Sequence, residues 1–123
     1  MKKSDPLWIK TDKLWSQCVK SKAGGMCQFC GKRPGTSAHH VIPRSFLGTA
    51  FLVKNGLWGC SVCHNHDDPM LQQRCIEMIG ESEFRRLWHI ASEITRLRYA
   101  DLVLIRERLE KAIKHYKEIN HGN

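Results

Sequence analysis

Apolar positions recur along this chain with changing period, and the changes mark out its elements. From Thr11 to Lys22, Leu14, Trp15, Cys18 and Val19 fall on one helical stripe. Thr11 or Asp12 is placed to cap this helix, and Gly24-Gly25 to stop it. Ala38–Ile42 is a short β-prone run closed by Pro43. Leu57–Trp58, flanked by Gly56 and Gly59, is the expected return strand, and Gly48–Lys54 reads as a connection. Asp68-Pro69 has the form of a helix start, an acid at the N-cap and proline at the first helical position. Leu71, Cys75, Ile76 and Ile79 then follow at helical spacing up to Gly80. Ser82 opens a further helix with Phe84, Leu87, Trp88 and Ala91 inward. A last helix is predicted from about Ala100 to Ile119, its stripe including Leu102, Ile105, Leu109 and Tyr116. Its opposite face, with Arg106, Glu107, Glu110, Lys111 and Lys114, is charged and solvated, and Asn120–Asn123 is expected to fray.

Composition narrows the class. At 123 residues, 41% hydrophobic and 26% charged, the chain suits one domain with a modest core. No apolar run approaches membrane-spanning length. Met1–Lys13 mixes Lys, Asp and Trp rather than forming a charged-then-apolar leader, so no signal peptide and a cytoplasmic location are expected. Trp8, Trp15, Trp58 and Trp88 are expected in the core or at its edge rather than as platforms for nucleic-acid bases.

The cysteines change the picture most. Cys27-Gln-Phe-Cys30 and Cys60-Ser-Val-Cys63 are two CxxC pairs separated by twenty-nine residues. Two such turns can complete a tetrahedron around one structural Zn²⁺. Disulfides do not suit an intracellular chain, and a redox CxxC would belong with a βαβ pattern that is missing. Cys18 and Cys75 lie in helical patterns and are expected to act as small buried hydrophobes.

Charge then suggests a partner. The formal net charge of +8 is uneven: residues 1–35 carry +6, residues 36–70 are neutral and residues 71–123 carry +2. A basic arm including Lys10, Lys13, Lys20 and Lys22 would track a nucleic-acid backbone or merely solubilise the chain.

Between the CxxC pairs lies Ala38-His39-His40-Val41-Ile42-Pro43-Arg44-Ser45, then Asn55, with His64 directly after Cys63. On a strand, His39 and His40 would point to opposite faces and so do different work. This order of CxxC, His-His, Asn and CxxC-His resembles the HNH (ββα-metal) endonucleases over about Met26–Asp68, roughly a third of the chain. The Asn-His-Asp-Asp-Pro and Ile-Gly-Glu-Ser-Glu-Phe stretches are also similar to the lambdoid-phage NinG/Rap recombination nucleases.

The resemblance implies an α+β fold, predominantly helical, with a small ββα-metal core (residues 26–80) holding a four-cysteine zinc. A basic N-terminal helix (1–25) and C-terminal helices (81–123) would flank it. It implies that His39 and His64 ligate a catalytic divalent ion, that His40 is the general base, and that Asn55 braces the hairpin and orients that base. Cys27, Cys30, Cys60 and Cys63 would hold structural Zn²⁺. Asp68 stands where some members have a third catalytic ligand, although its helix-start context favours a cap. His66 also lies near, and reads as a surface residue. Arg44 and Lys54 are candidate DNA contacts with the four lysines. His89, His115 and His121 are expected on helix surfaces.

The chemistry is consistent with those roles. Neutral imidazole can accept a proton from water near pH 7. An amide carbonyl from Asn55 could hold one imidazole nitrogen and so fix its tautomer. A two-histidine site suits Mg²⁺, Mn²⁺, Ni²⁺ or Co²⁺. The expected function is a metal-dependent DNA endonuclease. One site cuts one strand, so a monomer nicks, while a homodimer or two separate events cut both. The rival is a non-catalytic zinc module that binds nucleic acid, for which the His40 constellation has no use.

Overall fold

A computed structural model describes residues 3–65 and 67–121. Residues 1–2, His66 and residues 122–123 lie outside the described residues, as does the side chain of His121.

Helix α1 spans Pro6–Lys22. It begins earlier than the stripe predicts, because Asp5 caps it by accepting a hydrogen bond from Leu7 N and Pro6 supplies the first turn. Thr11 is therefore not the cap: it is fully buried inside the helix, its hydroxyl donating to Leu7 O at 2.6 Å. Asp12 likewise lies within the helix, where its carboxylate meets Arg44.

Strand β1, Ser37–His40, pairs antiparallel with β2, Gly56–Gly59, in the register Ser37–Gly59 to His40–Gly56. The strand is shorter than the β-prone run. Val41 and Ile42 leave the sheet and are wholly buried. The connection is no plain loop either: Thr49, Ala50 and Phe51 are buried, and a short 3-10 turn, Val53–Asn55, leads into β2. Asn55-Gly56 makes no left-handed turn, since Gly56 is extended at φ −117°. Glycine serves close approach here: a Cβ would lie 2.3 Å from Val19 Cγ2 and 2.8 Å from the Trp15 ring.

Helix α2, Leu71–Ile79, and α3, Glu81–Glu93, meet at Gly80, whose φ of 91° only glycine adopts without strain. Asp68 does not cap α2; the N-cap position is Met70, without a side-chain bond. Asp68 instead closes the preceding turn, accepting from Met70 N at 2.9 Å. Helix α4 spans Tyr99–His121. Asn120 is tied down rather than frayed, donating to Ser21 O at 2.7 Å.

Three apolar clusters join these elements. Trp8, Trp15, Cys18 and Val19 of α1 pack with Phe51, Trp58 and the α4 residues Leu102 and Leu109. Val41 and Leu57 pack with Leu71 and Cys75 of α2. Ile42 packs with Leu87 and Ala91 of α3. A two-stranded hairpin is marginal by itself; here helices cover it from both directions along the chain. The result is a small α+β fold. No helix among the described residues is long and apolar enough to cross a membrane.

Candidate functional site

The two CxxC turns converge. In the first, Cys27 N donates to Arg33 O, Gly31 N donates to Cys27 O at 2.9 Å, and Gly31 takes φ 66° to close the knuckle. In the second, His64 N donates to Cys60 O at 2.8 Å. Gln28 ties the first turn to β2: its N–H donates to Trp58 O, and its side-chain oxygen accepts from Trp58 N at 2.7 Å.

The sulfurs of Cys27, Cys30, Cys60 and Cys63 all lie within 4.8 Å of one another, and no cysteine is disulfide-bonded. Four thiolates around Zn²⁺ at about 2.3 Å would be about 3.8 Å apart. The donor set and spacing therefore suit a structural metal such as zinc. Backbone amides of Lys32 and Arg33 hold the Cys30 thiol down to about 6. The Cys63 amide is the first cause lowering Cys60. Desolvation, then the neighbouring sulfurs, push Cys63 up to about 12. Cys18 and Cys75 are buried elsewhere, as their helical positions predict, and desolvation raises both thiols to about 11.

The histidines form a second centre on the same hairpin. His39 Nδ1 and His64 Nε2 are 2.8 Å apart, and His64 Nδ1 lies 2.9 Å from Ser37 Oγ. Two nitrogens bound at right angles to one ion, each about 2.1 Å from it, would be about 3 Å apart. The two rings are at hydrogen-bond distance from each other, a separation close to that of neighbouring ligands, and imidazoles suit a divalent transition ion.

His40 occupies a different setting, as strand alternation predicts. Its ring stacks on Trp15 with centroids 3.9 Å apart and planes 17° from parallel. Its Nε2 lies 2.8 Å from Ala50 O. A carbonyl only accepts, so Nε2 carries the proton of the neutral ring and the lone pair sits on Nδ1. Burial is the first cause lowering the His40 pKa. Arg44 lowers it further, while the Ala50 carbonyl and Asp12 oppose the shift. His39, His40, His64, Arg44 and Gln72 all line one hollow of about 380 Å³.

Asn55 does brace the connection, but its carbonyl does not hold His40. Fully buried, it accepts from Ile42 N at 2.7 Å and donates to Ile42 O and Thr49 O, each at 3.0 Å. It acts on His40 at one remove, by securing the residue before Ala50. The reason is local: once Val41 and Ile42 leave the sheet, their buried backbone groups need partners, and Asn55 supplies them for Ile42.

Other expected residues are dispersed. Asp68 is occupied by Met70 N and by an ion pair with Arg74. Among the described residues, the four cysteines form the cluster of three or more metal-ligating side chains, and Asp68 is not gathered with His39 and His64 into another. Arg44 is half-exposed at 3.6 Å from Asp12. Lys10, Lys13, Lys20, Lys22 and Lys54 are exposed, and Lys20 lies over the Trp58 ring at 5.8 Å from its centroid. Lys10 and Lys13 flank a groove between α1 and α4 rather than the histidine hollow. His89 is exposed and pairs with Glu93, and His115 is exposed.

Three contributors were not assigned to the site by pattern alone. Trp15 reads only as a core residue on a helical stripe. The Ala50 carbonyl has no side-chain signal. Gln72, which donates to Val41 O at 3.0 Å, is one polar residue among several on α2. Comparison with protein-family models, curated proteins and solved structures finds no match for this chain.

Proposed function

We propose that this protein is a metal-dependent HNH-type DNA endonuclease that nicks one strand per site. The observation that carries the reading is the shared hollow. It brings a close His39–His64 pair and a separately held His40 to the wall of one cavity beside a hairpin flanked by four thiols. In this reading the hairpin with α2 is the ββα-metal core, and Cys27, Cys30, Cys60 and Cys63 hold Zn²⁺. Four thiolates leave zinc no open position, so its task is structural. His39 and His64 hold the second ion, Mg²⁺ or Mn²⁺, with Ni²⁺ or Co²⁺ as alternatives.

When bound, that ion supplies positive charge against the scissile phosphate and its leaving 3′ oxygen. His40 Nδ1 accepts a proton from water as the water oxygen attacks phosphorus and the bond to the 3′ oxygen breaks. Ala50 and Trp15 hold the imidazole in the tautomer this needs. In this reading Arg44 and Gln72, on the wall of the hollow, contact the phosphate. The resemblance to phage recombination nucleases leans toward branched DNA as the substrate, beside ordinary duplex.

The test is nicking of supercoiled plasmid with each divalent ion, by wild type and His40→Ala. Wild type should give open circles, and His40→Ala should be slower by about 10²–10⁴-fold. Undiminished cleavage by the variant would remove His40 as base. No cleavage by wild type with any ion would leave the non-catalytic zinc module that binds nucleic acid.

A further inference from the structure

The segment that holds His40 and Asn55 has a second side. Thr49 and Ala50 give their carbonyls to Asn55 and His40. Neighbouring side chains of the same segment, Leu47, Phe51 and Val53, line a separate apolar cleft of about 340 Å³. Its other walls include Ile90 and Ile94 at the end of α3 and Ile105 of α4. Gly48 allows this approach, since a Cβ there would stand 2.8 Å from both Ile90 O and Ile94 Cβ. A second hollow, about 350 Å³, shares Ile94, Leu97, Ile105 and Arg108 with the first and adds Leu104 and Arg96. The two form one apolar track across the α3–α4 connection. Ile94 is 42% exposed and Leu104 54% exposed.

The charge beside this track is net positive, Arg96 and Arg108 standing against Asp101. Arg44, Arg74, Arg85, Arg86 and Arg106 each pair with a carboxylate. Arg96 and Arg108, which line the track, have no ion-pair partner among the described residues. The acid there, Asp101, accepts from Arg98 N at 2.8 Å near the start of α4. An apolar groove flanked by unpaired guanidiniums suits a helix with an apolar stripe and acidic flanks. A second copy fits poorly, because a symmetric contact would bring both arginine pairs together on chains of formal charge +8.

We propose that the cleft between the α3–α4 connection and the Leu47–Val53 segment docks an acidic amphipathic helix of a partner protein. This does not rest on the nuclease reading.

The test uses the full zinc-loaded chain and two synthetic helical peptides of about twenty residues. Both carry leucines at i, i+3, i+4 and i+7; the remaining positions are mainly glutamate in one and lysine in the other. The glutamate peptide should bind with micromolar Kd and shift the methyl resonances of Ile94 and Leu104, and the lysine peptide should not bind. Arg96→Glu with Arg108→Glu should weaken binding at least about tenfold. Lys114→Glu with Lys117→Glu makes the same change of net charge on exposed α4 positions and should weaken it less than about threefold. Leu104→Asp, at an exposed position that leaves the core intact, should abolish the Ile94 methyl shift. Equal losses from the two charge reversals would reduce the attraction to net charge and overturn the proposal. So would failure of the glutamate peptide to bind, or self-association through these residues in sedimentation. Binding of anionic vesicles but not the peptide would also overturn it, in favour of a lipid surface.

Discussion

The cysteine cluster and the histidine hollow share one hairpin but are held in opposite ways. The cluster is local in construction. Each CxxC closes on its own backbone, and Gln28 links the two turns through Trp58. The hollow is assembled from distance. His40 depends on Trp15 of α1 and Ala50 of the connection, and Asn55 reaches back to Ile42. His64 belongs to both regions: its amide closes the second knuckle and its ring meets His39. The contrast separates two tasks. Four thiols in short turns can staple chain ends that a small core holds weakly. In the proposed nuclease, a residue that exchanges a proton is better fixed by carbonyl and ring contacts that leave one nitrogen with a lone pair.

The largest test of this contrast is removal of the staple. A structural zinc contributes about 10 kcal/mol or more, comparable to the whole stability of a domain. Cys60→Ser, or a strong chelator, should unfold the chain, as read by circular dichroism together with elemental analysis showing one zinc per wild-type chain. A variant melting like wild type would end the staple argument.

Next is Asn55→Ala. It leaves Ile42 N, Ile42 O and Thr49 O without their buried partner, a loss of about 3 kcal/mol or more. The melting temperature should fall by about 10 °C while zinc content stays at one. Loss of zinc as well would mean that the two regions are not separable.

Gly56→Ala forces a methyl group against Val19 and Trp15. It should cost about 1–3 kcal/mol. The His40 ring resonances should move more than those near the cysteines, which a chemical-shift map will show.

The smallest effect is electrostatic. His40 lies below its ordinary pKa of 6.5, chiefly through burial and secondarily through Arg44. The unfolded chain therefore binds this proton more readily. The stability His40 contributes is present above about pH 6.5 and is lost as pH falls through the folded pKa. Arg44→Gln should raise the His40 pKa and Asp12→Asn should lower it further. Titration of the His40 ring resonance checks both, free of the acid sensitivity that any zinc site adds to melting curves. Opposite shifts would refute the assigned charges.

Much of the molecule was legible because it is encoded over short spans. Gly80 ended one helix and opened the next within a residue of expectation. The Leu102-to-Tyr116 stripe marked α4, and two CxxC pairs announced one cluster. Errors arose where a local signal had two uses. Asp-Pro starts a helix at Asp5-Pro6 but closes a turn at Asp68-Pro69, where Asp68 is also drawn to Arg74. Asn55 serves a buried backbone and Gly56 an approaching helix, uses that no local pattern at Asn-Gly reveals. Thr11 looked like a cap and is core.

The sequence by itself determined which atoms are available and which must part company: four thiols in two short turns, and adjacent histidines sent to opposite faces by strand geometry. Only the tertiary structure decided what each histidine meets. That His39 meets His64, while His40 lies between Trp15 and Ala50, follows from how α1, the second knuckle and the buried connection pack on the hairpin. Burial governs that packing, and with it which carbonyl is left to receive the His40 proton; no spacing along the chain specifies either.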